Sequence, residues 1–155
     1  MSAGPVSVPT AAAMRELGAA LAEALRPGDL VLLIGALGAG KTTFAQGVGA
    51  GLAVPGAIRS PTFVLARVHR GGRLPLVHVD AYRLGSVAEL DDLDVDASLA
   101  ESVTLVEWGE GLAEVLAPHR LEVRISRPVD PADDNRTVRF GGFGDRWEGV
   151  PLPPT

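Results

Sequence analysis

Leu30-Val31-Leu32-Leu33-Ile34-Gly35-Ala36-Leu37-Gly38-Ala39-Gly40-Lys41-Thr42-Thr43 is the stretch that decides the fold. Leu30 to Ile34 form a nearly continuous apolar run, as a strand buried on both faces does. Gly35 to Gly40 read as a glycine-rich turn, and a helix is expected to open near Lys41 and end around Gly51. Gly35 to Thr42 match the pattern G-x-x-x-x-G-K-[ST] in full. Each part has a chemical reason. Glycines let backbone N–H groups turn inward around a phosphate. The positive end of the following helix points at the same anion. Lys41 can bridge β- and γ-phosphates, and the Thr42 hydroxyl can ligate Mg²⁺. A chain with 19 glycines can match such a pattern by chance. Here the strand before and the helix after satisfy the context the pattern requires. The pattern indicates nucleoside triphosphate binding without naming the reaction.

Lys41 is also the sole lysine among 14 basic residues. The arginine bias reads most simply as coding composition. Yet the one lysine falls where a compact ammonium fits a tight backbone cradle and a planar guanidinium does not.

Before this stretch, Thr10 is placed to cap a helix running to about Leu25, with Met14, Leu17, Leu21 and Leu25 on one face. Pro27-Gly28 stops it. After it, Thr62–Val68 and Leu74–Val79 read as two strands around Gly71-Gly72, a hairpin signal. An antiparallel pair makes the sheet mixed. Residues 86–101 are acidic and read as short helix and loop. Val103–Glu107 reads as another buried strand and Gly109–Leu116 as a short helix. Arg120–Ser126 and Arg136–Phe140 alternate apolar and charged residues, as half-exposed edge strands do. The expected architecture is an α/β P-loop NTPase fold, its mixed central sheet flanked by helices. Residues 1–150 are expected to form one domain and 151–155 a flexible Pro-rich tail.

Composition bounds the function. The 155 residues suit one domain with a real core, and the formal net charge is −5. An acidic chain is poorly suited to gripping nucleic acid alone, although a complex can hold RNA for it. With no cysteine there is no disulfide, thiolate metal site or cysteine nucleophile. The N-terminus lacks the pattern of a secretion signal, and no apolar run approaches the roughly 20 residues of a membrane helix. The cytoplasm is the expected location, with no membrane partner.

Two acids end apolar strands: Asp80 after Leu76-Val77-His78-Val79, and Glu107 after Thr104-Leu105-Val106. Residues at the carboxyl ends of strands in an open α/β sheet face the ligand crevice. Alone, each reads equally well as a surface acid at a strand end. Beside a phosphate loop, one is expected to support the metal and the other to orient or deprotonate the attacking water, with the assignment open. Arg83 reads equally as a salt-bridge partner of Asp80 or a contact to the γ-phosphate. Ser60-Pro61-Thr62-Phe63 lies where many P-loop proteins carry a nucleotide-sensing loop; its residues alone favour a turn entering a strand. Trp108, directly after Glu107, can wall the site or meet a partner, though core packing is the commoner reading, and Trp147 reads as packing. His69, His78 and His119 show no metal-ligand spacing and read as structural, with His78 off the face that Asp80 completes.

Taken together, Gly35 to Thr43, Ser60-Pro61-Thr62-Phe63, His78-Val79-Asp80-Ala81-Tyr82-Arg83-Leu84 and Val106-Glu107-Trp108 resemble the TsaE (YjeE) family, the ATPases of bacterial tRNA threonylcarbamoyladenosine biosynthesis. The resemblance spans about residues 8 to 147. It implies ATP and Mg²⁺ as ligands, held by Gly35, Leu37, Gly38, Ala39, Gly40, Lys41, Thr42 and Thr43. It implies Glu107, with Thr42, on the metal side, and Asp80 next to the γ-phosphate, with Lys41 and Thr62 completing the catalytic set. Thr62 thereby becomes a switch residue, and Arg136 matches an arginine that approaches the nucleotide. The implied partners are a TsaD-like transferase and a TsaB-like scaffold, with tRNA met only through that complex. The family often has an acidic residue at the position of Ala36 and an aromatic near His69; both departures leave the phosphate chemistry intact. The rival readings are a small P-loop kinase, for which no arginine-bearing lid is evident, a GTPase, for which no guanine-reading motif is present, and a nucleotide sensor that does not hydrolyse.

Overall fold

The computed structural model describes residues 5–35, 39–54, 66–80, 101–107, 119–128, 130, 132–133 and 135–153, with only the backbone described at 66, 67 and 80. Among the described residues seven strands form one sheet: β1 (Val6–Val8), β2 (Leu30–Ile34), β3 (Ala66–His69), β4 (Leu76–Asp80), β5 (Val103–Glu107), β6 (Arg120–Ser126) and β7 (Arg136–Phe143). Their order is β1-β7-β6-β2-β5-β4-β3. The inner strands β6, β2, β5 and β4 are mutually parallel, while β7 and β3 pair antiparallel at either side of them. The sheet is therefore mixed, as the Gly71-Gly72 hairpin signal implies.

Helix α1 spans Ala11–Ala22, and the Thr10 side chain accepts a hydrogen bond from the Ala13 N–H at 3.0 Å. Such a cap is worth about 1 kcal/mol. Met14, Leu17, Leu21 and Leu25 are all buried, so the helical spacing of these apolar residues reports a real core face. Helix α2 spans Lys41–Gly51 and lies beside α1 in the same direction. The pair covers one face of the sheet, where Val31, Leu33, Leu105, Leu121 and Val123 join Phe44 and Val48 in a single core.

The glycines that weaken α2 as an isolated helix are what let it pack. A methyl at Gly47 would overlap the Arg15 carbonyl, and one at Gly51 would lie 2.6 Å from Ala22 Cβ. Gly18 of α1 answers them, its own methyl falling onto the Phe44 carbonyl. The two backbones touch directly, which only residues without Cβ permit.

Two features depart from the sequence reading. β6 is not an edge strand, for it lies between β2 and β7, and β7 is covered by β1 along Arg136–Val138. Alternation of apolar and charged residues reports one solvated face, which an inner strand also has when no helix covers that side. Arg120, Arg124 and Arg139 occupy that face, while Leu121, Val123 and Val138 point into the core. Packing also runs past the expected domain limit, for Leu152 is 7% exposed and belongs to the core. The expected helical stretches at 86–101 and 109–116 lie almost wholly outside the described residues. No helix among the described residues is long and apolar enough to cross a membrane.

Candidate functional site

The parallel strands bring the candidate residues to one end of the sheet. β2 delivers Gly35 from its carboxyl end. In the adjacent strand, Glu107 stands in register with Leu33, and one strand further Asp80 stands in register with Glu107. The phosphate loop and both acids therefore leave the sheet side by side at the carboxyl ends of β2, β5 and β4, where ligands of open α/β sheets bind.

Gly35 lies against β6. A methyl there would come within 2.7 Å of the Ile125 carbonyl oxygen and 3.2 Å of Ala39 Cβ. Gly40, at φ 116°, makes the left-handed step that turns the chain into α2. It offers no side-chain cap, and the first turn of α2 closes with Phe44 N–H donating to the Gly40 carbonyl at 2.9 Å. The contrast with α1, capped by Thr10, is that no side chain caps the start of α2.

Lys41 opens α2 and is 6% exposed. Its ammonium donates to the Gly35 carbonyl at 2.6 Å, tying the charge to the first residue of its own loop. A flexible four-carbon stem is thus held in one place at the mouth of the helix. Next to it is a cavity of about 370 Å³ lined by Thr10, Ala11 and Met14 from the start of α1, Ala39, Gly40 and Thr43 from the loop and α2, and Arg136 from β7. Arg136 thus stands beside the loop although it is distant in sequence. Thr10, Ala11 and Met14 carried no site signal in the sequence beyond their helical role.

Glu107 is 4% exposed and His78 is 0% exposed, and His78 Nε2 lies 2.7 Å from Glu107 Oε2. The reading of His78 as a residue apart from the acids is corrected here. Positions two apart on a strand share a face, and β4 places His78 in register with Leu105, one pleat from Glu107. Among the described residues no three His, Asp or Glu side chains gather into a metal cage. Leu37, Gly38, Ser60, Thr62, Arg83, Trp108 and the Asp91–Asp96 stretch lie outside the described residues. Asp80 is placed by its backbone alone. His119 accepts from the Arg146 backbone N–H at 3.4 Å, consistent with a structural role.

A buried parallel strand, a glycine loop closed by lysine and a helix opening at that lysine define a P-loop α/β protein. A model of the family described as threonylcarbamoyl adenosine biosynthesis protein TsaE matches residues 8–138. The chain is 59% identical over 138 residues to the tRNA threonylcarbamoyladenosine biosynthesis protein TsaE of Streptomyces coelicolor, covering 86% of this chain and 93% of that one. It is 40% identical to the protein of the same name from Bacillus subtilis, over 88% of this chain and 82% of the other. The crystal structure of Bacillus subtilis YdiB superposes with a TM-score of 0.76 at 31% identity, covering 97% of this chain and 91% of that one. The chain belongs to the TsaE family, which serves the biosynthesis of threonylcarbamoyladenosine on tRNA.

Proposed function

We propose that the protein is a Mg²⁺-dependent ATPase that binds ATP at the Gly35–Thr43 loop. It serves a TsaD-like threonylcarbamoyl transferase and its TsaB-like scaffold in the cytoplasm, meeting tRNA only through that complex. The observation that carries this reading is the meeting of three features at one spot. They are the held ammonium of Lys41, the start of α2 without a side-chain cap, and the adjoining cavity.

In this reading the backbone N–H groups of Gly38, Ala39 and Gly40 and the first turn of α2 bind the β-phosphate. Leu37 contributes to the same loop, and Lys41 moves its donation from the Gly35 carbonyl to the β- and γ-phosphates. The cavity between α1 and α2 takes the nucleoside half, with Thr43 and Arg136 at its wall. The Thr42 hydroxyl and Glu107 would hold Mg²⁺ on the phosphate side. The ion, when bound with the nucleotide, neutralises charge developing on the transferred group. Asp80 orients the attacking water, whose oxygen bonds to the γ-phosphorus as the bond to the ADP oxygen breaks. Thr62 senses the γ-phosphate, so that docking on the partners follows the nucleotide state.

The test is ATP hydrolysis by the purified chain, alone and then with the TsaB–TsaD pair from the same organism. Low turnover that rises with the pair is expected. Lys41→Ala should lose nucleotide binding, whereas Asp80→Ala and Glu107→Ala should lose turnover more than binding. Tight ATP binding with turnover that the pair does not change would overturn the reading.

A further inference from the structure

We propose that His78 is a positioning residue for Glu107, acting as a fixed hydrogen-bond donor that aims the carboxylate at the metal side of the nucleotide. This rests on the reading of Glu107 as the metal-side acid. The two side chains are held from adjacent parallel strands, 29 residues apart in sequence, with Nε2 to Oε2 at 2.7 Å. Both are shielded from water: His78 is 0% exposed and Glu107 4%.

The other imidazole nitrogen determines the tautomer. His78 Nδ1 is buried and has no hydrogen-bond partner among the described residues. A proton on Nδ1 would leave an N–H donor stranded in the core, which is rarer and costlier than a stranded lone pair. The proton therefore sits on Nε2 and is donated to Oε2. Holding Oε2 restricts how the carboxylate can turn and so biases its orientation before any ion arrives. Hydrogen bonds of this kind orient metal ligands, and losing one typically costs about 10- to 100-fold in metal affinity.

Because Glu107 is expected to act on the ion and not on the phosphates, the measurement separates the two. A fluorescent ADP analogue is titrated in EDTA, and the Mg²⁺ concentration giving half the metal-dependent signal change is then recorded. His78→Leu, which removes the donor, should raise that concentration about 10- to 100-fold and leave the EDTA affinity as in the parent. His78→Gln carries an amide nitrogen near the position of Nε2 and should restore most of the loss. In Glu107→Ala, adding His78→Leu should cost nothing further. An unchanged Mg²⁺ requirement in His78→Leu, or an equal loss with and without Mg²⁺, would overturn the proposal. Should the Leu variant fail to fold, a long-range ¹H–¹⁵N correlation spectrum of the parent decides: an Nε2–H tautomer supports the proposal and an Nδ1–H tautomer overturns it. If Glu107→Ala itself leaves the Mg²⁺ requirement unchanged, the metal-side reading of Glu107 fails on its own.

Discussion

Arg146 grips Asp29 as a fork, Nε to Oδ1 and Nη2 to Oδ2 both at 2.8 Å. The same Nη2 donates to the Ala24 carbonyl at 2.7 Å, and the guanidinium stacks 4.3 Å over the Trp147 ring. Asp29 also accepts from the Arg26 N–H at 2.9 Å, so the pair joins a 3₁₀ turn at Asp145–Trp147 to the bend that feeds β2. Both side chains are nearly enclosed, at 12% and 3% exposure. Arg146→Ala would strand a buried carboxylate and should cost about 3–5 kcal/mol. Arg146→Lys should lose much of the same stability, because an ammonium cannot make the fork. Urea unfolding of each variant measures this, and nucleotide affinity of the folded fraction should stay at the parental level.

The backbone contact between α1 and α2 gives a second expectation. Gly47→Ala places a methyl against the Arg15 carbonyl, which is backbone and cannot swing aside. The gain in helix propensity, about 1 kcal/mol in an exposed helix, should be outweighed by forced separation of the helices, at about 1–3 kcal/mol or more. Thermal melting should show the variant less stable than the parent. An increased melting temperature would mean the helices are not packed backbone to backbone.

The cavity wall makes a third. Arg136→Ala should weaken ATP affinity about 10-fold or more, the worth of one hydrogen bond to a charged group, with little effect on stability. Isothermal titration of ATP measures it. Unchanged affinity would place the nucleoside half elsewhere than the cavity that Arg136 lines.

Lys41→Arg tests the sole lysine. The ammonium reaches the Gly35 carbonyl at 2.6 Å inside a nearly closed site. A guanidinium has the same charge but not the compact shape. Lys41→Arg should therefore bind ATP about as poorly as Lys41→Ala, measured in the same titration. Near-parental binding would show that charge alone suffices there.

Much of the fold could be read locally. The strand, loop and helix at 30–51 are consecutive, so their periodicity, glycines and cap signals lie within one window, and α2 begins and ends where expected. What escaped is non-local. β1 is three residues long and exists because Val6, Ser7 and Val8 pair with Val138, Thr137 and Arg136; three residues carry no period of their own. The mistaken edge position of β6 and the partial cover of β7 have the same origin, since neighbours across a sheet are set by topology and not by alternation. In the candidate site the loop and the strand-end acids were legible as motif and position. His78 was not, because its meaning comes from an adjacent strand. The α1 side of the cavity was hidden as well, since Thr10 and Met14 were already accounted for by a cap and a core face.

The parallel course of the two helices has an electrostatic consequence. Thr10 and Ala11 at the start of α1, and Gly40 and Thr43 at the start of α2, line the same cavity. Two aligned peptide dipoles therefore present their positive poles together, each equivalent to about half an elementary charge. Their negative poles lie together at the opposite end. There Arg73 donates to the Ala22 carbonyl at 2.6 Å, and its backbone N–H donates to the Leu52 carbonyl at 2.6 Å. A chain of net charge −5 is thus polarised along its helical layer. In the proposed function this places the polyphosphate at the positive pole, while the overall negative charge works against a longer polyanion on the rest of the surface.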